Sequence, residues 1–251
     1  ILILSILTGL ANWDSVLAYD SKDDFKVTNE RKASEYAQQG MRVSSFIIMP
    51  KLDIENEYDS NIFRQHNGAN PVDSHIVHFK PGLVAYSNWS RHALNLTFDT
   101  DLAQYATQGA QNNYEDTFTR LDGRLDVVRD SYLEAGFSYN NRHEDRGSPD
   151  QVTGISPTFY DTKAIDTFYT HKLNRVSIKL GLDTIRYDYQ NTSTSLDTIL
   201  AMKSRSHWEY APSIRFGYEI QPEYEAYINF VYRETDYDSL VLSNGVGTAF
   251  N

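Results

Sequence analysis

The chain has 251 residues, no cysteine and a formal net charge of −11 at neutral pH. The acidity and the absence of any basic run exclude nucleic acid as a partner, and the lack of cysteine excludes a disulfide framework. Mean hydropathy is −0.53, and no internal stretch reaches the roughly eighteen apolar residues of a membrane-crossing helix.

Taken in chain order, residues 1–10 are a compact apolar stretch, followed by small and polar residues up to Ala18. This is the pattern of the apolar core and cleavage region of a secretory signal, so residues 1–18 are expected to be a signal-peptide remnant without its basic leader. Residues 19–41 are charged and unpatterned, and are expected to form a periplasmic N-terminal arm. Residues 42–251 are expected to form a barrel.

From Arg42 to Arg233 the text alternates with period two. Nine runs can be read, each with an apolar and a polar face. The first sets Phe46, Ile48, Pro50, Leu52 and Ile54 against Lys51, Asp53, Glu55 and Glu57. The second sets Val77, Phe79, Pro81 and Leu83 against His78, Lys80 and Tyr86. The third sets Leu94, Leu96 and Phe98 against Asn95, Thr97, Asp99 and Asp101. In the fourth, Leu121, Gly123, Leu125 and Val127 oppose Asp116, Arg120, Asp122, Arg124 and Asp126. The fifth places Leu133, Ala135, Phe137 and Tyr139 opposite Glu134, Ser138, Asn140 and Arg142. A sixth run, near Ile165 to Leu173, has no assignable faces. The seventh sets Val176, Ile178, Leu180 and Leu182 against Ser177, Lys179 and Asp183. The eighth sets Trp208, Tyr210, Pro212, Ile214, Phe216, Tyr218 and Ile220 against His207, Glu209, Ser213, Arg215 and Glu219. The ninth sets Tyr224, Ala226, Ile228, Phe230 and Tyr232 against Glu225, Asn229 and Arg233.

Runs of roughly ten residues suit a tilted strand crossing a bilayer, whereas strands of soluble sandwiches are about five or six residues long. Short gaps near 88–91, 129–131, 173–175 and 221–223 alternate with long ones near 61–74, 106–113, 144–163 and 191–204. In outer-membrane barrels the short turns are periplasmic and the long loops extracellular. The expected fold is therefore all-β: an antiparallel, up-and-down transmembrane β-barrel of outer-membrane type. Single-chain bacterial barrels have even strand numbers. Nine visible strands thus suggest that the C-terminal strands are missing.

Several segments add a resemblance. Tyr58-Asp59-Ser60-Asn61-Ile62-Phe63-Arg64 is followed by Pro81-Gly82-Leu83, then Ser87-Asn88-Trp89-Ser90-Arg91-His92-Ala93-Leu94. After these come Gly123-Arg124-Leu125-Asp126, then His143-Glu144-Asp145-Arg146-Gly147-Ser148-Pro149, then Pro157-Thr158-Phe159-Tyr160. In this order and spacing they resemble the β-barrel porins of the second type, over roughly residues 46–233. Members of that family are outer-membrane proteins often encoded beside exopolysaccharide synthesis genes. The resemblance implies a bacterial outer-membrane location and passage or export of a polar solute, with exopolysaccharide and its export machinery as partners. It implies no catalytic residues.

The polar faces supply the candidate site. Asp53, Glu55, Lys80, Asp99, Asp101, Asp116, Arg120, Asp122, Arg124, Asp126, Glu134, Arg142, Lys179, Asp183, Glu209, Arg215 and Glu219 are expected to line a lumen. Carboxylates accept hydrogen bonds from sugar hydroxyls and arginine donates in a planar fork; the same residues also neutralise one another across strands. Acids outnumber bases among them, so an open pore is expected to prefer cations weakly. Trp89, Trp208, Tyr218, Tyr224 and Tyr232 fall on the lipid-facing parity, where aromatic girdles meet outer-membrane lipid. Tyr86, Tyr105, Tyr187 and Tyr227 remain as possible sugar contacts.

His143, Glu144 and Arg146 are expected to anchor the loop 144–163, by pairing of Arg142 or Arg146 with Glu144 or Asp145. That loop is long enough to fold inward as a constriction. His143 lacks the second histidine of a zinc-protease motif, and neither metal nor cofactor is expected. Two alternatives stand beside the porin reading. One is a structural or glycan-docking barrel with a filled lumen. The other is a barrel hydrolase, in which Asp99 or Asp101 would lie near His143.

Overall fold

The computed structural model describes residues 2–7, 40–66, 68, 70–148, 156–193, 199–222 and 224–239. Its strands, in chain order, are β1 (Leu2–Leu7), β2 (Met41–Val43), β3 (Phe46–Asp59), β4 (Ser74–Ser87), β5 (Ala93–Tyr105), β6 (Tyr114–Val128) and β7 (Ser131–His143). They continue as β8 (Phe159–Leu173), β9 (Val176–Tyr189), β10 (Thr192–Ser193), β11 (Ile199–Leu200), β12 (His207–Gln221), β13 (Tyr224–Tyr232) and β14 (Glu234–Tyr237). Helical structure among the described residues is confined to α1 (Gly109–Asn112) and one 3₁₀ turn, Met202–Arg205.

One antiparallel sheet holds nearly everything, in the order β1-β13-β12-β9-β8-β7-β6-β5-β4-β3-β2. From β2 to β9, and again from β12 to β13, each strand pairs with the next one in the chain. β10 and β11 form a small separate hairpin within the loop between β9 and β12. The ladder Ser213↔Val231 resumes without slippage as Tyr210↔Glu234, so β13 and β14 are one strand interrupted at Arg233. β1 lies on the other edge of β13, from Leu2↔Tyr232 to Leu7↔Tyr227. Part of the expected signal segment is thus extended on the sheet. Residues 8–39, which hold the rest of that segment and most of the expected arm, lie outside the described residues.

This is the antiparallel meander of a transmembrane barrel, and its sheet is open. Among the described residues, β1 and the far end of β3 have no partner on their outer edges. Lipid supplies no hydrogen bonds to such edges, so a bilayer favours their pairing.

Alternation puts the large apolar side chains on one face. Leu52, Ile54, Val77, Phe79, Leu121, Leu125, Leu180, Leu182, Phe216 and Ile228 are all exposed there, as a lipid-facing surface requires. In β8 the exposed large residues are Ile165, Tyr169 and Leu173. That assigns the faces the alternation left open: Asp166, Phe168 and Thr170 point inward. The pattern was illegible because each face of β8 mixes aromatic, apolar and hydroxyl side chains. β8 also begins at Phe159, which shortens the expected loop 144–163 by one turn's worth of chain.

The long strands run to 14 or 15 residues in β3, β4, β6, β8, β9 and β12, longer than the ten expected. Their outer ends carry polar side chains on both faces, as in Tyr58–Asp59 and Tyr187-Asp188-Tyr189, and pass beyond the apolar band. At the opposite end, tight turns contain left-handed residues: Ser44 (φ 55), Asp130 (φ 61) and Asn174 (φ 56). Asp and Asn tolerate this conformation better than most residues.

Candidate functional site

The inward face is a ladder of ion pairs, some along one strand and others across two or more. Lys80 Nζ lies 2.5 Å from Glu55, Lys51 Nζ 2.7 Å from Asp99, and Lys179 Nζ 3.8 Å from Glu134. Arg120 reaches Asp122 at 2.6 Å and Asp166 at 2.9 Å. Arg124 Nε lies 3.1 Å from Asp126, and Arg215 Nη2 3.0 Å from Glu225. Glu209 faces His207 Nε2 at 3.4 Å. Asp183 sits opposite Asp166, and Glu219 opposite Glu225. Asp53 sits opposite Lys80 and is exposed. Arg142 is exposed and makes no ion pair among the described residues.

A recurring device holds these pairs against the wall. Gly82, Gly136 and Gly217 each lie between two strands whose side chains meet above the glycine. Lys51 and Asp99, two strands apart, bridge over Gly82; a Cβ there would sit 2.5 Å from Asp99 Oδ1 and 2.6 Å from Lys51 Cε. Arg120 and Asp166 bridge over Gly136. Ser177 donates to Glu225 across Gly217. At Gly181 the occupants are Phe168 and Ser213, and Lys179 rests on the Phe168 ring at 4.4 Å. Long polar side chains therefore lie along the wall. Gly123, on the lipid-facing parity, has no neighbour closer than 3.8 Å to such a Cβ.

At the long-loop mouth, a transverse row joins four strands. His78 Nδ1 lies 3.0 Å from Asp101, and His143 Nδ1 lies 3.0 Å from Asp116. Asp101 and Asp116 are direct cross-strand partners. Tyr114 stacks on His143 at 3.8 Å between centroids. His78, Tyr114 and His143 of this row line, with Tyr105 and Arg146, a cleft of about 310 Å³. The hydrolase alternative would put Asp99 or Asp101 near His143; those carboxylates pair with Lys51 and His78, and Asp116 is the partner of His143. By parity His143 belongs to the lipid-facing side. Its backbone N–H donates to the Asp116 carboxylate at 3.0 Å, where the β6–β7 ladder has ended, and this turns the ring onto the row.

The loop anchors also differ from the expected pairing. Glu144 is held by Arg205 in a two-pronged contact at 2.6 and 3.0 Å. Arg146 donates to Asn112 at 3.0 Å and lies 4.8 Å over the Phe63 ring. Burial lowers the proton affinity of this guanidinium. Residues 149–155, the tip of the supposed constriction, lie outside the described residues.

Pro81-Gly82-Leu83 lies in the middle of β4, whereas the segments 58–64, 87–94, 143–148 and 157–160 lie at strand ends. Asp59 accepts from the Asn61 N–H at 2.8 Å and from Arg64 at 3.2 Å, while Asn61 clasps Gln65 and Ile62 is buried. Ser87 Oγ accepts from the Leu94 N–H at 2.9 Å, and Trp89 donates to Ser45 at 3.2 Å. The Thr158 carbonyl accepts from the Glu144 N–H at 2.8 Å. The comparison with known families agrees with this geometry: the model described as Putative beta-barrel porin 2 matches residues 33–248. The chain belongs to this family. No curated protein and no solved structure gives a match.

In this porin, Trp89, Tyr218 and Tyr224 are exposed near the tight-turn ends, and Trp208 and Tyr232 towards the other. Two of the four tyrosines considered for sugar contact have a ring face covered. Arg215 lies 4.0 Å over Tyr227, and His207 stacks on Tyr187 at 4.6 Å. Asp166 was missed as a lumenal residue because nothing in β8 assigned its face. Lys51, His78 and Glu225 carry the right parity but act through partners on other strands, which spacing within one run does not reveal.

Proposed function

We propose that this porin forms a hydrated passage through a bacterial outer membrane for a polar solute, with an extracellular polysaccharide as the best candidate. The observation that carries the reading is the inward face: charges of both signs, paired, and folded over glycines so that they hug the wall. Polar walls with locally cancelled charge let a neutral or charged sugar exchange hydrogen bonds with water along its path. The mechanism is diffusion without covalent chemistry or cofactor. The polysaccharide assignment draws on the family resemblance. Export machinery on the periplasmic side is the partner it calls for.

Planar-bilayer recording tests this proposal. Steady conductance with weak cation preference is the expected result. A folded, inserted protein that carries no current would refute it. That outcome would favour a glycan-docking barrel, for which the outer cleft between Tyr105, Tyr114 and His143 is the natural contact surface.

A further inference from the structure

The short-turn mouth departs from the acidity of the rest of the chain. A cleft of about 430 Å³ opens there, lined by Arg91 from the β4–β5 turn, Arg124 from β6, Arg129 from the β6–β7 turn and Lys172 from β8. Two carboxylates share it, and both are engaged. Asp126 pairs with Arg124 at 3.1 Å, and Asp130 faces Arg129 at 3.7 Å. Arg91 and Lys172 have no carboxylate partner among the described residues. The cleft thus has two surplus positive charges in a chain whose formal charge is −11.

Its geometry is set in advance. The Arg124 guanidinium lies 3.8 Å over the Tyr132 ring, and its Nε is fixed by Asp126. A stacked guanidinium keeps its in-plane N–H groups available to an incoming oxyanion. Asp126 N–H donates to His92 Nδ1 at 3.2 Å, which ties the β4–β5 turn to β6 beside the cleft. Arg124, Asp126, Tyr132 and Lys172 share the inward parity, which puts the cleft inside the lumen and away from lipid headgroups. The cations are distributed from the β4–β5 turn to β8. At about 4.8 Å between strands, that is on the order of 15 Å, more than one small anion spans.

We propose that this cleft binds an acidic sugar chain, through carboxylates on successive residues, as the chain enters from the short-turn side. The proposal rests on the passage reading and adds to it an entrance site for an acidic glycan, ahead of a lumen in which acids outnumber bases. The cleft at the long-loop mouth sets Glu57, Asp59 and Asp145 against Arg64 and Arg146, so it has no comparable cationic surplus. Binding is therefore expected at one end of the lumen only.

The test is equilibrium binding of fluorescently labelled trigalacturonate to the porin in detergent micelles, with labelled maltotriose as the neutral control. Saturable binding of the acidic trimer alone is expected, weakening as salt is raised. The variant carrying Arg91→Glu and Lys172→Glu should bind at least tenfold more weakly. Both side chains are exposed, and the charge-conserving pair Arg91→Lys and Lys172→Arg, which should retain most of the affinity, controls for folding. Equal binding of maltotriose, or unchanged affinity in the charge-reversed variant, would overturn the site. Because the readout needs no current, a non-conducting protein that still binds would refute the passage and leave the site standing. Conduction without selective binding would do the opposite.

Discussion

The bridge over Gly136 makes a quantitative prediction. Alanine there would place a Cβ 2.5 Å from Arg120 Nη2 and 2.6 Å from both Asp166 carboxylate oxygens. The 2.9 Å Arg120–Asp166 contact must open, while Arg120 keeps Asp122. Both partners are about four-fifths buried, with side-chain exposures of 19% and 23%. A charge-assisted hydrogen bond in such a setting contributes about 1.5–3 kcal/mol. Replacing glycine in a strand returns about 0.5–1 kcal/mol. Gly136→Ala should therefore destabilise by about 1–2 kcal/mol. Gly123→Ala, with open space around its Cβ, should stabilise by about 0.5–1 kcal/mol. Urea unfolding in lipid vesicles, followed by tryptophan fluorescence, measures the difference. In an Asp166→Asn background the cost of Gly136→Ala should shrink, because the two changes act on one contact. Equal stabilities for the Gly136 and Gly123 variants would refute the bridging argument.

Three further outcomes follow from the same structure. Leu182→Arg, on the lipid-facing side and 47% exposed, should cost about 2–4 kcal/mol of folding in vesicles; a cost under half a kcal/mol would remove that surface from the hydrocarbon. Glu144→Gln should release Arg205 and cost about 1.5–3 kcal/mol locally, read as faster protease cleavage within residues 144–158 of the inserted protein, and unchanged cleavage would count against the anchor. Arg186 bonds to Asp238 and holds its carboxyl below the ordinary range. A depressed acid stabilises above its unfolded pKa, and the contribution disappears as pH falls through the folded value. Arg186 also lies 5.6 Å over Trp208, so Trp208 fluorescence should change as pH drops below about 4, and Asp238→Asn should abolish that change.

Period two placed all nine long strands and the faces of eight, because a half-lipid, half-water wall forces strict alternation. It failed on β8, where Phe168 points inward beneath Lys179 and hydroxyl residues occupy both faces. The charged positions were legible one at a time; their partners were not. Arg120 finds Asp166, 46 residues away, and Glu144 finds Arg205, 61 residues away. Such pairs depend on register between strands, which no single run encodes. His143 shows a second limit: one side-chain bond to its backbone replaces a ladder bond and rotates the ring away from its parity.

Strand length has a consequence for what a solute meets first. Fifteen residues at about 3.3 Å each, tilted near 40°, stand close to 40 Å tall, against an apolar band of about 25 Å. The excess lies mostly beyond the apolar band at the long-loop end, where β6 and β8 carry polar residues on both sides. These strands carry the wall past the hydrocarbon and into the headgroup layer, so a solute meets ordered sheet there before it reaches the apolar band.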